Sequence, residues 1–178
     1  MAPVIKVLVA LLVLVAGIYD IRFRRIPNWL VLPALLAGFA LNTFLFGLAG
    51  LREAALGFGL ALLIYMPLYM LRGMGAGDVK LAAALGAFVG WQNWVLIFLL
   101  AGAVGGVLAL LLMVLHKRFR KTLRNTAYII WEMMHFRAPH LRSEELDVGS
   151  PRAYTLPHGA VIALATLTLV GIRVFLGG

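Results

Sequence analysis

The chain has 178 residues, of which 63% are apolar and 13% are charged, and its formal net charge is +9. Soluble domains are about half apolar and about a quarter charged, so this composition excludes an ordinary cytosolic globule, a disordered tail and a nucleic-acid-binding domain. The absence of cysteine excludes disulfides, thiolate zinc sites, iron–sulfur clusters and a cysteine nucleophile. The composition therefore predicts a single membrane domain over residues 1–178.

Six apolar segments approach the roughly 20 residues that a membrane-spanning helix needs. They are Ala2–Tyr19, Asn28–Leu48, Leu51–Leu71, Val79–Gly90, Asn93–His116 and Pro157–Leu176. The pattern predicts an all-α, polytopic membrane protein with about six transmembrane helices. We expect the first segment to be a retained helix, because Lys6 interrupts it and no signal-peptide cleavage site follows. The fourth has only 12 residues, so it spans only if it continues into 91–94 or if the bilayer thins locally.

The positive charges predict the orientation of these segments. If six spans alternate, 13 of the 16 basic residues lie on one side and 3 on the other. The positive-inside rule then makes the first side cytoplasmic and both termini periplasmic. The polar loop 117–156 supplies much of this bias. Its first part, Lys117–Ala127, fits either an interfacial amphipathic helix on anionic lipid or a solvated basic loop.

Two further patterns predict contacts of the helices. The tryptophans Trp29, Trp91 and Trp94 are expected to anchor helices at the membrane interface. Small residues recur at a spacing of four, which predicts close helix packing; the pairs are Gly86 with Gly90 and Gly102 with Gly106.

The seven acidic residues are few enough to consider one by one. Four lie in the loop 117–156, and Glu53 lies beside Arg52, where a local ion pair would be ordinary. The other two are Asp20, at the end of the first span, and Asp78, at the start of the fourth. Taken singly, Asp20 could be a stop signal for its helix and Asp78 an N-cap. Both lie at one predicted depth, so they could instead form a dyad in which one carboxyl keeps its proton.

Such a dyad could hydrolyse an amide without a metal or a covalent intermediate. The charged carboxylate would take a proton from water while the neutral carboxyl polarises the carbonyl group. Gly73, Gly75 and Gly77 would permit positive φ and close backbone approach beside Asp78, although an ordinary flexible turn is the alternative. Pro27 is well placed to start the second helix, which would make the turn after the first aspartate short and rigid.

Three stretches of the chain resemble the motifs of one enzyme family. The stretch Gly75–Leu81 (Gly-Ala-Gly-Asp-Val-Lys-Leu) resembles the signature of the GxGD-type membrane aspartyl proteases, specifically the prepilin peptidases. Asp20 followed by Ile26-Pro27-Asn28 is similar to the other signature of that family. Leu156–Ala160 is similar to a family element at the start of the last helix. The resemblance runs over nearly the whole chain.

The resemblance implies an aspartyl endopeptidase of the bacterial inner membrane. Its substrates would be type IV prepilin-like precursors, with a basic leader and a hydrophobic helix, cleaved at the cytoplasmic face and usually after a glycine. It implies no metal or cofactor, and no nucleic-acid partner is expected. The implied catalytic pair is Asp20 and Asp78, supported by Gly75, Gly77, Lys80, Ile26, Pro27 and Asn28.

One departure from the family pattern bears on the activity. Larger members carry a cytoplasmic insert with four cysteines and also N-methylate the new amino terminus. Because this chain has no cysteine, we expect the compact type of the tight-adherence (Flp) pilus systems, without methyltransferase activity.

Other functions fit part of the pattern. An intramembrane protease of the presenilin or signal-peptide-peptidase kind would also pair Tyr19-Asp20 with a Gly-x-Gly-Asp motif, but on consecutive late helices. A small transporter with paired acids would place them near the bilayer midplane. An inactive assembly factor would tolerate loss of either aspartate. Lys80 could bias the charge of the dyad, contact the substrate or snorkel to headgroups, and His158 could titrate near neutrality or be a plain helix-end residue.

Overall fold

The computed structural model describes residues 1–71, 74–115 and 157–176, and the regular secondary structure of these ranges is all helical. The helices are α1 (Pro3–Phe23), α2 (Asn28–Met70), α3 (Ala76–Leu115) and α4 (His158–Phe175). Each is long and apolar enough to cross a membrane, which confirms the predicted all-α, polytopic membrane protein. The predicted loop 117–156, with its interfacial segment, lies outside the described residues.

Helix α2 folds back on itself at Gly47. This residue has φ 62° and ψ −145°, a conformation open to glycine because it has no side chain. On either side of it, the rings of Phe39 and Phe58 lie 5.7 Å apart, centroid to centroid. A straight helix would separate these two residues by roughly 28 Å, at about 1.5 Å per residue. Helix α2 is therefore a helical hairpin.

Helix α3 is a second hairpin, folded at Gly90, where φ is 74° and ψ is 168°. Across this break, the indole Nε1 of Trp94 donates a hydrogen bond of 2.9 Å to the carbonyl oxygen of Ala82. With two helices folded back, the described chain has six helical segments, in the positions of the six predicted spans. That each of them crosses the bilayer stays a prediction.

The hairpins bring four chain segments together at one end of the bundle. The carboxyl end of α1 and the amino ends of α2, α3 and α4 lie there, and Lys80 donates to Asn28 across α3 and α2. At the opposite end, Lys6 Nζ donates to the Arg173 carbonyl oxygen at 3.3 Å, and Arg173 Nη2 donates to Asn93 Oδ1 at 3.3 Å. The end that holds both motif aspartates is therefore distinct from the end that holds Lys6 and Arg173.

The short fourth segment is the centre of the bundle. Its 14 residues before Gly90 (76–89) reach only about 21 Å, less than the roughly 30 Å hydrocarbon core. Every residue from 81 to 90 is buried, so this part of α3 is surrounded by protein, as its apolar character on all faces requires. It crosses the second half of α2 at two glycines, because a Cβ on Gly57 or Gly86 would overlap the carbonyl oxygen of the other. Close packing at Gly86 is thereby confirmed.

Of the other predictions about helix contacts, the one for Gly102 and Gly106 finds no partner among the described residues, and the one for Trp94 is wrong. Nothing in the described chain lies within 4 Å of a Cβ added at Gly102 or Gly106. A spacing of four shows which residues share a helix face, but it does not show what packs against that face. Trp94 is 2% exposed and hydrogen-bonded inside the bundle, whereas Trp29 and Trp91 are 62% and 38% exposed. The indole of Trp94 is thus a packing residue and not an interface anchor.

Two asparagines supply hydrogen bonds at the break in α3. A helix end leaves carbonyl oxygens without helical partners, and such groups are costly in a membrane. Asn42 Nδ2 donates to the carbonyl oxygens of Ala87 and Phe88, at 2.9 Å each. Asn93 Nδ2 donates to the Val89 carbonyl oxygen at 2.9 Å. Side chains from both hairpins therefore stabilise the turn at Gly90.

Candidate active site

Asp20 lies in the last turn of α1 and is 7% exposed. Its Oδ2 accepts a hydrogen bond of 3.1 Å from the backbone N–H of Ala160, in the first turn of α4. The free N–H groups and the dipole of a helix amino end favour a carboxylate at this place. Helix α1 continues past Asp20 to Phe23, so the interpretation of this residue as a helix stop is wrong.

Asp78 is the third residue of α3 and is half-buried. Its carboxylate interacts with the backbone N–H of Gly75, just before the helix, and with that of Gly159 in the first turn of α4. The first contact resembles a capping box, in which the third helical residue reaches back to the cap. Asp78 therefore helps to cap α3, as the alternative interpretation expected, although it is not the N-cap residue itself.

The amino end of α4 brings the two aspartates together. The N–H of Ala160 bonds to Asp20, the N–H of Gly159 contacts Asp78, and the charges of the two carboxylates interact. The structure thus places the predicted pair at one site, with backbone donors oriented toward both members.

Ile26 packs between the amino ends of α3 and α4. A Cβ added at Gly77 would lie 3.1 Å from Ile26 Cβ, and one added at Gly159 would lie 2.8 Å from Ile26 Cδ1. The latter would also lie 3.0 Å from Asp20 Oδ2. Only a residue without a side chain fits at either position without a shift of its neighbours.

The glycines before Asp78 serve a purpose different from the one expected. In the described chain only Gly47 and Gly90 combine glycine with a positive φ, so Gly75 and Gly77 do not need that freedom. Gly77 allows close approach to Ile26, and a Cβ on Gly75 would lie 3.2 Å from Asp78 Oδ2. Gly73 lies outside the described residues.

The remaining predicted support residues join α2 to α3. Pro27, with φ −73° and ψ 141°, immediately precedes the first helical residue, Asn28, where the sequence predicts the helix to start. Lys80 Nζ donates a hydrogen bond of 2.9 Å to Asn28 Oδ1. Within the described chain Lys80 makes no hydrogen bond or ion pair with either aspartate, so its contact is between the two motif segments.

Two other side chains lie close to the aspartates. Tyr65, which is not among the residues predicted from the sequence, is buried, and its phenol lies near enough to Asp78 for their charges to interact. Its ring packs edge-on against Trp94, with centroids 5.8 Å apart. The position of a tyrosine within an apolar span could have pointed to this residue, since a buried phenol hydroxyl needs a polar partner. His158, the first residue of α4, is half-buried and interacts electrostatically with Asp20.

Comparison with known proteins relates this site to one family. The profile of the type IV leader peptidase family matches residues 7–110, more than half of the chain. Three similar proteins are prepilin leader peptidase/N-methyltransferases, from Stutzerimonas stutzeri (38% identical over 112 residues), Escherichia coli K12 (35% over 102) and Pseudomonas aeruginosa (40% over 108).

These alignments cover 58%, 53% and 56% of this chain, but 38%, 44% and 37% of the relatives. The chain thus spans less than half the length of these curated relatives. No solved structure matches it significantly. The profile match includes Asp20, Asp78 and the segments around both, and the chain belongs to the type IV leader peptidase family.

Proposed function

We propose that this protein is a membrane aspartyl endopeptidase that removes the leader peptide of type IV prepilin-like precursors. The observation that carries the proposal is the meeting of Asp20 and Asp78, 58 residues apart in sequence, at the amino end of α4. Membership of the leader peptidase family supports the reaction, and the names of the relatives support the substrate class.

In the proposed mechanism, one carboxyl group of the pair is protonated and the other is ionised. The ionised carboxylate accepts a proton from a water molecule as the water oxygen attacks the scissile carbonyl carbon. The protonated carboxyl donates its proton to the carbonyl oxygen, which gives a tetrahedral diol. A proton then passes to the leaving nitrogen as the C–N bond breaks. The products are the leader with a free carboxyl group and the mature pilin with a new amino terminus.

The site is proposed to face the cytoplasm of a bacterium, in the inner membrane. The distribution of positive charge supports this orientation, because Arg22, Arg24 and Arg25 follow Asp20 at the same end of the bundle. The hydrophobic helix of the precursor would lie among the spans, with its basic leader in the cytoplasm. Both termini of the enzyme would then be periplasmic.

The proposal covers peptide cleavage and not N-methylation. The relatives are named for both activities, whereas the cysteine-free sequence favours the compact, peptidase-only type. Mass spectrometry of the cleaved pilin separates the two cases, since methylation adds about 14 Da to the new amino terminus. We expect an unmethylated product when the methyl donor S-adenosylmethionine is supplied.

The direct test uses the full chain in lipid vesicles with a type IV prepilin-like precursor. We expect the wild type to cut at the end of the leader. Asp20→Asn and Asp78→Asn should each lower kcat on the order of a thousandfold or more, as expected for groups that act as a unit. Glu53→Gln, which removes an acid at the opposite end of the bundle, is the matched control and should retain activity. Cleavage that survives loss of either aspartate would contradict the dyad.

The same experiment separates the alternative functions. A protease of the presenilin kind would cut inside the hydrophobic helix, so the mass of the product identifies it. A transporter or an assembly factor would leave the precursor intact. The contact of both carboxylates with one helix end favours the peptidase, because it holds the two acids at one place.

A further inference from the structure

One side chain between α1 and α2 packs against the amino ends of both α3 and α4, which surround the two aspartates. We propose that Ile26 is a positioning residue, a spacer that sets the separation of the amino ends of α3 and α4 and thereby the geometry of Asp20 and Asp78. The effect on cleavage rests on the proposed function. The effect on geometry does not, and it can be measured without any substrate.

The backbone on both sides of Ile26 is restrained. Arg24, with φ 53° and ψ 32°, ends α1 in a left-handed conformation, and its N–H donates to the Asp20 carbonyl oxygen at 2.9 Å. Pro27 fixes φ at −73° where α2 begins. Ile26 itself is 8% exposed. A β-branched side chain also has few accessible rotamers, so this residue is well suited to hold its neighbours at fixed distances.

The contacts of Ile26 lead directly to the aspartates. On one side it meets Gly77, which immediately precedes Asp78. On the other side it meets Gly159, whose N–H contacts Asp78 and whose added Cβ would lie 3.0 Å from Asp20 Oδ2. A change in the size of the Ile26 side chain would therefore shift both carboxylates relative to each other.

The two glycines contact different atoms of Ile26, which gives the proposal a specific consequence. A Cβ at position 159 would lie 2.8 Å from Cδ1, the atom that Ile26→Val removes. A Cβ at position 77 would lie 3.1 Å from Cβ and 3.4 Å from the backbone nitrogen, atoms that valine keeps. Ile26→Val should therefore relieve the clash of Gly159→Ala with Ile26, while the contact at 3.0 Å with Asp20 Oδ2 stays, and it should not relieve Gly77→Ala.

The activity test measures kcat, KM and the pH profile of the full chain in vesicles, with a type IV prepilin-like precursor as the probe. We expect Gly159→Ala to lower kcat on the order of a hundredfold, as a misplacement of about 1 Å can do, with KM little changed. We also expect the pH profile of kcat to differ between Gly159→Ala and the wild type. Adding Ile26→Val should raise kcat about tenfold or more and return the pH profile toward that of the wild type. Ile26→Val should give no recovery in Gly77→Ala.

Gly171→Ala is the matched control. This residue lies in the same helix as Gly159, and no described residue lies within 4 Å of its added Cβ, so its variant should keep the wild-type kcat and pH profile. Equal recovery of both glycine variants by Ile26→Val, or recovery of neither, would overturn the proposal. Ile26→Val is a small change, which keeps the test usable if Ile26→Ala does not fold.

A second measurement reads the geometry without activity. The chain has no cysteine, so an Asp20→Cys/Asp78→Cys variant carries only the two introduced thiols, and thiol-reactive linkers of graded length report their separation. We expect one preferred length with Ile26 in place, and a shifted or broadened profile when Gly159→Ala or Ile26→Ala is added. An unchanged profile would overturn the spacer role. If the profile shifts in the cysteine variant but the wild-type chain cleaves no prepilin-like precursor, the proposed function is contradicted and the spacer role stands.

Discussion

Lys80 Nζ donates a hydrogen bond of 2.9 Å to Asn28 Oδ1 and so joins the amino end of α3 to that of α2. Asn28 comes two residues after Ile26, and Lys80 comes two residues after Asp78. Both side chains are exposed, so the bond itself contributes little to stability. Its effect is on the relative placement of the two motif segments.

Lys80 and Asn28 should therefore act as one unit. We expect Lys80→Met and Asn28→Ala each to lower the free energy of unfolding by about 1 kcal/mol or less. The two variants should also reduce the rate of cleavage by the same factor as each other. The double variant should lose no more than either single one, as coupled residues do in a double-mutant cycle. Additive losses would show instead that Lys80 contacts the substrate or biases the charge of the aspartates separately.

The glycine crossing between α2 and α3 should be intolerant of any side chain. Gly57→Ala and Gly86→Ala each place a Cβ against a backbone carbonyl oxygen of the other helix, which has no flexible side-chain end that could move aside. We expect a loss of about 3 kcal/mol or more, seen as a lower melting temperature in detergent and a lower yield. Gly59→Ala lies in the same helix, and its Cβ would meet no atom within 4 Å in the described part of the chain, so it should match the wild type. Equal effects at positions 57 and 59 would contradict the described crossing.

Trp94 should contribute to stability through the hydrogen bond of its indole N–H as well as through its buried apolar area. Trp94→Phe keeps an aromatic ring beside Phe98, whose ring lies 5.6 Å away, but leaves the Ala82 carbonyl oxygen without its side-chain donor. We expect a cost of about 1–3 kcal/mol in the free energy of unfolding. Trp29→Phe, at an exposed position, should cost less than about 0.5 kcal/mol. Melting of the two variants in the same detergent compares them, and similar losses would argue against the buried hydrogen bond.

The orientation in the membrane can be read with single cysteines in this cysteine-free chain. Met70, at the site end of α2, and Phe175, at the opposite end of α4, are 72% and 90% exposed. In intact cells we expect a membrane-impermeant maleimide to label Phe175→Cys and to label Met70→Cys only after the membrane is opened. The reverse pattern would put the aspartates on the periplasmic side and contradict the positive-inside assignment.

The fold was predictable from sequence because apolar length and charge placement act locally. Six apolar segments became six helical segments, and alternation of their direction was enough to put Asp20 and Asp78 at one end. The start of α2 at Asn28 followed from Pro27, whose ring suits the position before a helix. These features depend on neighbouring residues and do not require knowledge of which helices touch.

Contacts between helices could not be predicted from the sequence. Trp29 and Trp94 both lie among apolar residues, yet one is exposed and the other is buried. A Cβ at position 77 or 159 would crowd Ile26, and at position 159 also Asp20, residues that belong to a different part of the chain. Tyr65 lies near Asp78 only because α2 folds back at Gly47 and returns to the site end. Each of these features depends on the packing of segments that are distant in sequence.

The asparagine at position 42 also has a consequence for the order in which the protein is made. The carbonyl oxygens of Ala87 and Phe88, at the bend of the second hairpin, accept hydrogen bonds from Asn42, which lies on the first hairpin. The ribosome synthesises the first hairpin earlier, so that donor is already in the membrane when the bend emerges from the translocation channel. A circularly permuted gene that encodes the second hairpin first would present these carbonyl groups to lipid, and we expect its product to be inserted poorly and degraded.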